Sequence, residues 1–295
     1  MWIYYGVSAG LILGFYDFWT KKAMHGNSIF PIVFYSSFFG ALFWMPFFIT
    51  SLYDIVPEVK IDGVGFYDHG LIFFKSLMMT LSWFFAYFSV RELPMSFSGS
   101  VRASGPLWTL AGGSIVFGEF LTPLQFTAVL LSVFCYYLLS QIGKKEGINT
   151  LRSLPMAMML LATILSSLTT VYDKFIVQHI GIPSYTIQAY SSVYRCLIAA
   201  FLFILSARLK RGNYHCKWSI YIPLVGLSWV IAELIYFLAI SDPVANVTYL
   251  SVFRRMSLVV GFFLSAIFLN EKNVMRKFTI VSLIVLSTML LIYKD

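Results

Sequence analysis

The sequence predicts an all-α integral membrane protein of ten transmembrane helices, arranged as two inverted five-helix repeats. Three observations carry that expectation. Of the 295 residues 59% are hydrophobic and only 12% are charged, whereas a water-wetted surface on a chain of this size needs about 25% charged residues. The apolar residues come in runs of about 20, the length that crosses a bilayer as a helix. The second half of the chain also repeats short motifs of the first half in the same order.

Taken in order, the windows are residues 2–23, 29–52, 70–90, 95–118, 123–142, 154–178, 183–207, 218–240, 244–269 and 275–293. Barrel strands are excluded, because the runs are too long and do not alternate. The two longest connections are 51–69, acidic and glycine-containing, and 208–217, basic, so no water-soluble domain fits between the helices. The opening Met-Trp-Ile-Tyr-Tyr lacks the basic region and small-residue cleavage site of a signal peptide and is read as the start of the first helix.

The formal charge of +8 does not call for a nucleic-acid partner, since the basic residues sit mostly in connections. Thirteen fall on one side of the ten spans: Lys21, Lys22, Arg91, Lys144, Lys145, Arg152, Arg208, Lys210, Arg211, Lys217, Lys272, Arg276 and Lys277. Four fall on the other: Lys60, Lys75, Lys174 and Lys294. The positive-inside rule then puts the first side in the cytoplasm and both termini outside. A bacterial inner membrane is the expected location. The cysteines (Cys135, Cys196, Cys216) show no paired spacing and read as small packing residues. The histidines (His25, His69, His179, His215) are dispersed, so a metal site is not expected.

The internal repeat is the most informative feature. Tyr16-Asp17 matches Tyr172-Asp173, Tyr35-Ser36-Ser37 matches Tyr190-Ser191-Ser192, and Leu81-Ser82-Trp83 matches Leu227-Ser228-Trp229. Arg102 stands seventeen residues before Glu119, as Arg254 does before Glu271. The repeats would span residues 1–147 and 148–295. Five helices is an odd number, so the second repeat must enter the membrane from the opposite face. Inverted halves of this kind rock against each other around a midplane site, which points to alternating access.

The stretch Val101-Arg102-Ala103-Ser104-Gly105-Pro106-Leu107-Trp108, with Phe117-Gly118-Glu119 and Leu121-Thr122-Pro123-Leu124-Gln125, resembles the end of an EamA-type repeat. The second copy, ending Phe268-Leu269-Asn270-Glu271-Lys272-Asn273, is looser, with Leu258 where the first copy has Pro106. The resemblance implies the drug/metabolite transporter superfamily, with ten helices and no cofactor. Its members carry amino acids, nucleotide sugars, phosphorylated metabolites, choline or drugs. It also implies cytoplasmic termini, opposite to the charge count.

An ionisable side chain inside the bilayer costs roughly 2.5–3.5 kcal/mol on insertion scales, so each needs a partner or a wet cavity. The spans hold Arg102, Lys174, Arg195, Arg254 and Arg255 against Asp17, Asp173 and Glu233, five bases to three acids. Two equivalent ion pairs are expected, Asp17–Arg102 and Asp173–Arg254. Arg255, about 100° round the helix from Arg254, would seek Glu233, solvent or an anion. Arg195 and Glu233 stand near mid-span and are candidates to neutralise each other. Surplus positive charge favours an anionic or zwitterionic small-molecule cargo, gripped by arginine forks. Trp83, Trp229, Tyr16, Tyr172, Tyr190 and Tyr236 are the aromatic candidates for the cavity wall. Carboxylates held by arginine stay charged and carry protons poorly, which leaves Glu233 as the candidate for coupling to a proton, with a counter-substrate as the alternative driver. Small residues in the fourth span (Gly99, Ser100, Gly105, Gly112, Gly113) allow close helix approach.

The expected function is therefore secondary transport of a small organic solute. The alternative is a flippase or exporter of an amphipathic or lipid-linked compound or drug. Enzymatic chemistry is not expected, because no nucleophile, base or metal cluster converges at one depth. The chain would act in the lipid bilayer as a monomer or homodimer.

Overall fold

The structure is a computed structural model and describes residues 1–93, 98, 101–102, 104–144, 154–208, 215–268, 279–280, 282–283 and 286. Among the described residues there are helices and no strands. They are α1 (Trp2–Met24), α2 (Ile29–Leu52), α3 (Phe66–Glu92), α4 (Gly105–Phe117), α5 (Pro123–Lys144), α6 (Leu154–Lys174), α7 (Ser184–Arg208), α8 (Tyr221–Ile240), α9 (Val247–Arg254) and α10 (Ser257–Phe268). A short 3-10 turn, Pro57–Val59, lies between α2 and α3. Among the described residues five helical stretches are long and apolar enough to cross a membrane: Ile29–Leu52, Phe66–Glu92, Leu154–His179, Ser184–Arg208 and Tyr221–Ile240. Most of the tenth predicted span lies outside the described residues, as do Glu271, Lys272, Gly99 and Ser100.

Helix ends follow local chemistry. Asn246 starts α9 by accepting hydrogen bonds from the backbone amides of Thr248 and Tyr249 at 2.9 and 3.3 Å. Gly118 stops α4 in the left-handed conformation at φ 65°, which a residue without Cβ adopts freely. The π turn Phe175–His179 closes α6.

Two cross-links define the ends of the bundle. At one end Lys21 Nζ donates to the carbonyls of Val90 and Leu93, at 2.6 and 2.8 Å, satisfying orphan acceptors at the end of α3. At the other, Gln178 Nε2 donates to the carbonyls of Ile240 and Asp242, at 2.8 and 2.9 Å, and does the same for α8. The end bearing Lys21, Lys22, Arg91, Arg208 and Lys217 is called the basic end below, and its opposite the far end. Lys75 and Lys174, counted by sequence among the far-side connections, are instead buried in α3 and α6. Both already stand inside the helical windows 70–90 and 154–178, and α3 from Phe66 and α6 to Lys174 carry them within helices and not on connections.

Packing crosses between the halves. Helix α1 lies against α8, α9 and α10; α3 lies against α6 and α7; α2 lies against α7 and α8; and α4 lies against α6 and α9. Close approach depends on glycine. A Cβ on Gly10 would strike the Phe253 carbonyl of α9, and one on Gly6 or Gly14 would meet Phe253 or Val260 side chains. The spacing of four residues puts all three on one face of α1. The expected glycine face of α4 is used likewise, with Gly112 against Val171 and Gly113 against Val247.

The predicted single spans 95–118 and 244–269 are not continuous. Around Arg254 the backbone amides of Arg255, Met256, Leu258 and Val259 reach back three residues instead of four, and α9 ends there before α10 begins. In the other half, Ser104 and Leu107 make the same three-residue bonds just after Arg102, before the main run of α4. Hydropathy is blind to such a break, because the side chains stay apolar on both sides of it.

Where α2 crosses α8, a Cβ on Gly226 would meet the Ser36 carbonyl, which is backbone and cannot turn away. Gly226→Ala is expected to destabilise the detergent-solubilised protein by about 1–3 kcal/mol, the usual range for overpacking. Gly63→Ala, which meets nothing within 4 Å, should leave the thermal unfolding midpoint unchanged.

Candidate functional site

A cavity of about 60 Å³ lies in the half of the bundle toward the basic end. Its wall is built by late α1 (Tyr16, Asp17), late α3 (Trp83, Tyr87), α8 (Trp229), and the two helix breaks (Arg102, Arg254, Arg255). Free space of this size holds water but no metabolite, since ligand pockets run to about 300–1,000 Å³.

Four aromatic rings cap the cavity toward the middle of the bundle. The Tyr16 ring lies 4.9 Å from Trp229 and 6.2 Å from Trp83. The two indoles meet edge to face at 4.7 Å, and Trp83 stacks on Tyr87 at 6.1 Å. Tyr16 Oη donates to Tyr87 Oη at 3.1 Å. One turn from this group, Arg102 Nη1 donates to Asp17 Oδ1 at 2.5 Å. This is the expected first-half ion pair, and it is partly exposed, at 24% and 11% for the two side chains.

The expected second-half pair takes another form. Arg254 Nη2 donates to Glu233 Oε1 at 2.7 Å, and Asp173 Oδ1 faces Lys75 Nζ at 3.3 Å instead. Lys75 is 1% exposed, sits 4.8 Å from the Phe237 ring, and lies 3.9 Å from Glu233 Oε2. Gln188 Nε2 donates to the same Glu233 oxygen at 3.5 Å. Two carboxylates thus share one ammonium, and the closer arginine goes to the carboxylate one helix away. Electrostatics dictates only that each buried charge find an opposite one. The arrival of Lys75 from α3 decides which carboxylate Arg254 takes.

Arg195 does not neutralise Glu233 by direct contact. Its Nε donates to the Ser191 carbonyl at 3.3 Å and its Nη2 to Ser192 Oγ at 2.9 Å. Its guanidinium lies 5.2 Å from the Trp83 ring and 5.8 Å from Trp229. Arg254 is 5.9 Å from Trp229 and 4.4 Å from Tyr236. The π faces of the two cavity indoles are therefore already engaged by the protein's own cations, as is Tyr236, which lies outside the cavity wall. Arg255 sits beside Gly105, whose missing side chain leaves room for the guanidinium.

Tyr172 and Tyr190 are not in the cavity wall. Tyr172 Oη donates to the Leu71 carbonyl at 3.3 Å, and Tyr190 packs on His69 and Phe48. Both lie in the far half of the bundle, whereas the cavity lies toward the basic end. There Lys174 Nζ is bonded to Glu119 and to the Ala245 carbonyl, while Glu119 Oε2 accepts from the Val247 amide at 3.2 Å. This knot ties the ends of α4 and α6 to the start of α9. Lys75, Gln188 and the Lys174–Glu119 pair were not singled out by sequence as site residues. For Lys75 the available signal is its position nine residues into α3, with apolar residues on both sides. Among the described residues no group of three or more His, Cys, Asp or Glu is placed to hold a metal.

Residues 1–141 match the EamA-like transporter family. That match places residues 1–141 in the drug/metabolite transporter superfamily. The apolar helices and this match indicate an integral membrane protein, and the matched family is one of small-solute transporters. A solved crystal structure of a protein is similar over 97% of this chain and 95% of its own, with a TM-score of 0.68 at 15% identity, a likeness that shows the fold alone. No curated protein matches the chain.

Removing one partner of the Asp17–Arg102 pair strands the other in a partly desolvated site. Asp17→Ala or Arg102→Ala is expected to destabilise by roughly 1–3 kcal/mol, between the exposed and fully buried limits. The double variant should lose less than the sum of the two. Thermal unfolding of all four proteins in a double-mutant cycle measures the coupling.

Proposed function

We propose that the chain is a secondary transporter that moves a small anionic or zwitterionic metabolite by alternating access, with the cargo held in the cavity below the two helix breaks. The observation that carries this reading is a set of buried donors on the cavity wall. Trp83 Nε1, Trp229 Nε1 and Arg254 Nη1 have no acceptor among the described residues. Indole and guanidinium only donate, so the occupant that completes them is rich in acceptors, as carboxylates and phosphates are. A cationic cargo would be drawn to the indole faces, the strongest cation–π partners, and Arg195 and Arg254 occupy those.

The packing supports an inverted repeat of residues 1–147 and 148–295, with ten spans. If α1, α2 and α3 correspond to α6, α7 and α8, and α4 to α9 with α10, the contacts come in equivalent sets. The contact α1–α8 mirrors α6–α3, α2–α8 mirrors α7–α3, and α1–α9 mirrors α6–α4. Lys21 capping α3 and Gln178 capping α8, at opposite ends, fit the same relation. In such an arrangement the conformation with the cavity toward the basic end has a counterpart facing the far end. The Lys174–Glu119 knot would then close the far side here, while Asp17–Arg102 stands at the other threshold. The small cavity volume indicates that cargo enters as the helices part, with the breaks at Arg102 and Arg254 as hinges.

The test is ligand-induced thermal stabilisation of purified protein, with matched carboxylates, phosphate esters, amino acids and quaternary amines. A binder at 100 times its Kd adds about 2.7 kcal/mol to stability by mass action. Anions or zwitterions are expected to raise the melting midpoint in wild type. Arg255→Ala, and Arg254→Lys, which keeps the charge but loses the fork, should lose most of that gain. Stabilisation by cations or amphiphiles alone would assign the arginines to packing and favour a drug exporter or flippase.

A further inference from the structure

Asp173 is the one acid of the interior network whose surroundings do not satisfy it. It is 0% exposed, and neither of its carboxylate oxygens accepts a hydrogen bond among the described residues. Glu233 is in the opposite condition, with Arg254 on one oxygen and Gln188 on the other. Sequence position alone favours Glu233 as a proton carrier. A carboxylate clamped by a guanidinium holds its charge, however, and one buried without donors gains by becoming a neutral acid.

The groups facing Asp173 come from every helix around it. Lys75 approaches from α3, Glu233 and Tyr236 from α8, Arg254 from α9 and Arg195 from α7. On its own helix Lys174 is turned away toward Glu119 of the α4 end. Direct charge contact with Asp173 therefore comes from Lys75 alone among these, at 3.3 Å, and Lys75 is shared with Glu233 at 3.9 Å.

We propose that Asp173 is the coupling-proton site of the transporter, and that Lys75 is the positioning residue that relays its protonation to the cavity. A proton from bulk water binds one Asp173 oxygen and makes it a neutral carboxylic acid, with no other bond formed or broken. Lys75 then loses its nearer carboxylate and turns wholly to Glu233. Glu233 is the partner that holds Arg254, and Arg254 is the one member of the network on the cavity wall. With Lys75 on Glu233, Arg254 is released to grip an anion. Proton and anion enter together, so the net charge inside the low-dielectric site is unchanged, which removes the largest cost of moving either alone. By linkage, the anion in turn strengthens proton binding by the same factor.

The sign of the cargo in this scheme rests on the proposed function, whereas the proton site is tested without cargo. The experiment is infrared difference spectroscopy of the purified, reconstituted protein between alkaline and mildly acidic pH, with tryptophan emission recorded in parallel. In wild type a protonated carboxylic-acid band is expected to form together with a change in indole emission, as Arg254 shifts beside Trp229. Asp173→Asn should lose the band completely and show the acid-form emission at every pH. Glu233→Gln should retain the band. Lys75→Gln, which removes the cation that favours the carboxylate, should form the band at a higher pH, and it serves where Asp173→Asn does not fold. A band that survives in Asp173→Asn, one that vanishes in Glu233→Gln, or one unmoved by Lys75→Gln would overturn the proposal. So would the absence of any band in wild type above the pH of unfolding. A failed cargo screen with an intact Asp173 band would remove the cargo class and leave the proton site standing.

Discussion

Charges buried in a medium without water have to find one another, and the placement of the central helices follows from that requirement. Lys75, Asp173, Glu233 and Arg254 come from α3, α6, α8 and α9, and none of the four is more than 8% exposed. Removing one member leaves a desolvated partner, at a cost of about 3–5 kcal/mol for a fully buried pair. Four helices are thereby held in one mutual arrangement by a handful of atoms. The apolar packing around them supplies most of the contact area. It is indifferent to small rotations in a way that the ion pairs are not.

The windows read from hydropathy agree with the helices wherever charge or glycine brackets a run, as at Lys21-Lys22, at Gly181 and at Arg208. They miss where the physics is not written in composition. Tyr67-Asp68-His69 reads as connection, yet it belongs to the first turn of α3, which sets Lys75 deeper along the helix than the 70–90 window does. The break after Arg254 is a matter of backbone angles between two apolar stretches, which a hydropathy window averages away. Within the site, Asp17–Arg102 was legible because both partners fall within residues 1–147 at matching depth in their spans. Asp173–Arg254 was not, because the competitor Lys75 comes from the other half and has no counterpart there. The register that pairs Trp83 with Trp229 sets Lys75 against Tyr221.

In the proposed repeat the same register sets unlike residues opposite one another. Glu233 stands opposite Tyr87, and Arg195 stands opposite Gly40 in the register of Tyr35 and Tyr190. In one half these positions carry hydrogen-bonded tyrosine and close helix packing. In the other they carry the ions. Asp173, Arg195, Glu233 and Arg254 thus come from residues 148–295 and Lys75 from residues 1–147, which otherwise give the site aromatic surface together with Asp17 and Arg102. In the proposed cycle the two end conformations would differ in energy, since only one of them keeps the arginines beside the cavity toward the basic end. Such a gap sets which conformation predominates at rest.

The bare face of α1 has a mechanical meaning. Gly10 brings the backbone of α1 against the carbonyl of Phe253, immediately before the break at Arg254. Two backbones in direct contact have no flexible side chains between them to absorb a displacement. In the proposed cycle a tilt of α1 would pass to α9 almost undiminished, like force along a rigid strut. Tyr16 and Asp17 ride on one end of that strut and Arg254 on the other, so the threshold and the proposed anion grip would form one moving part.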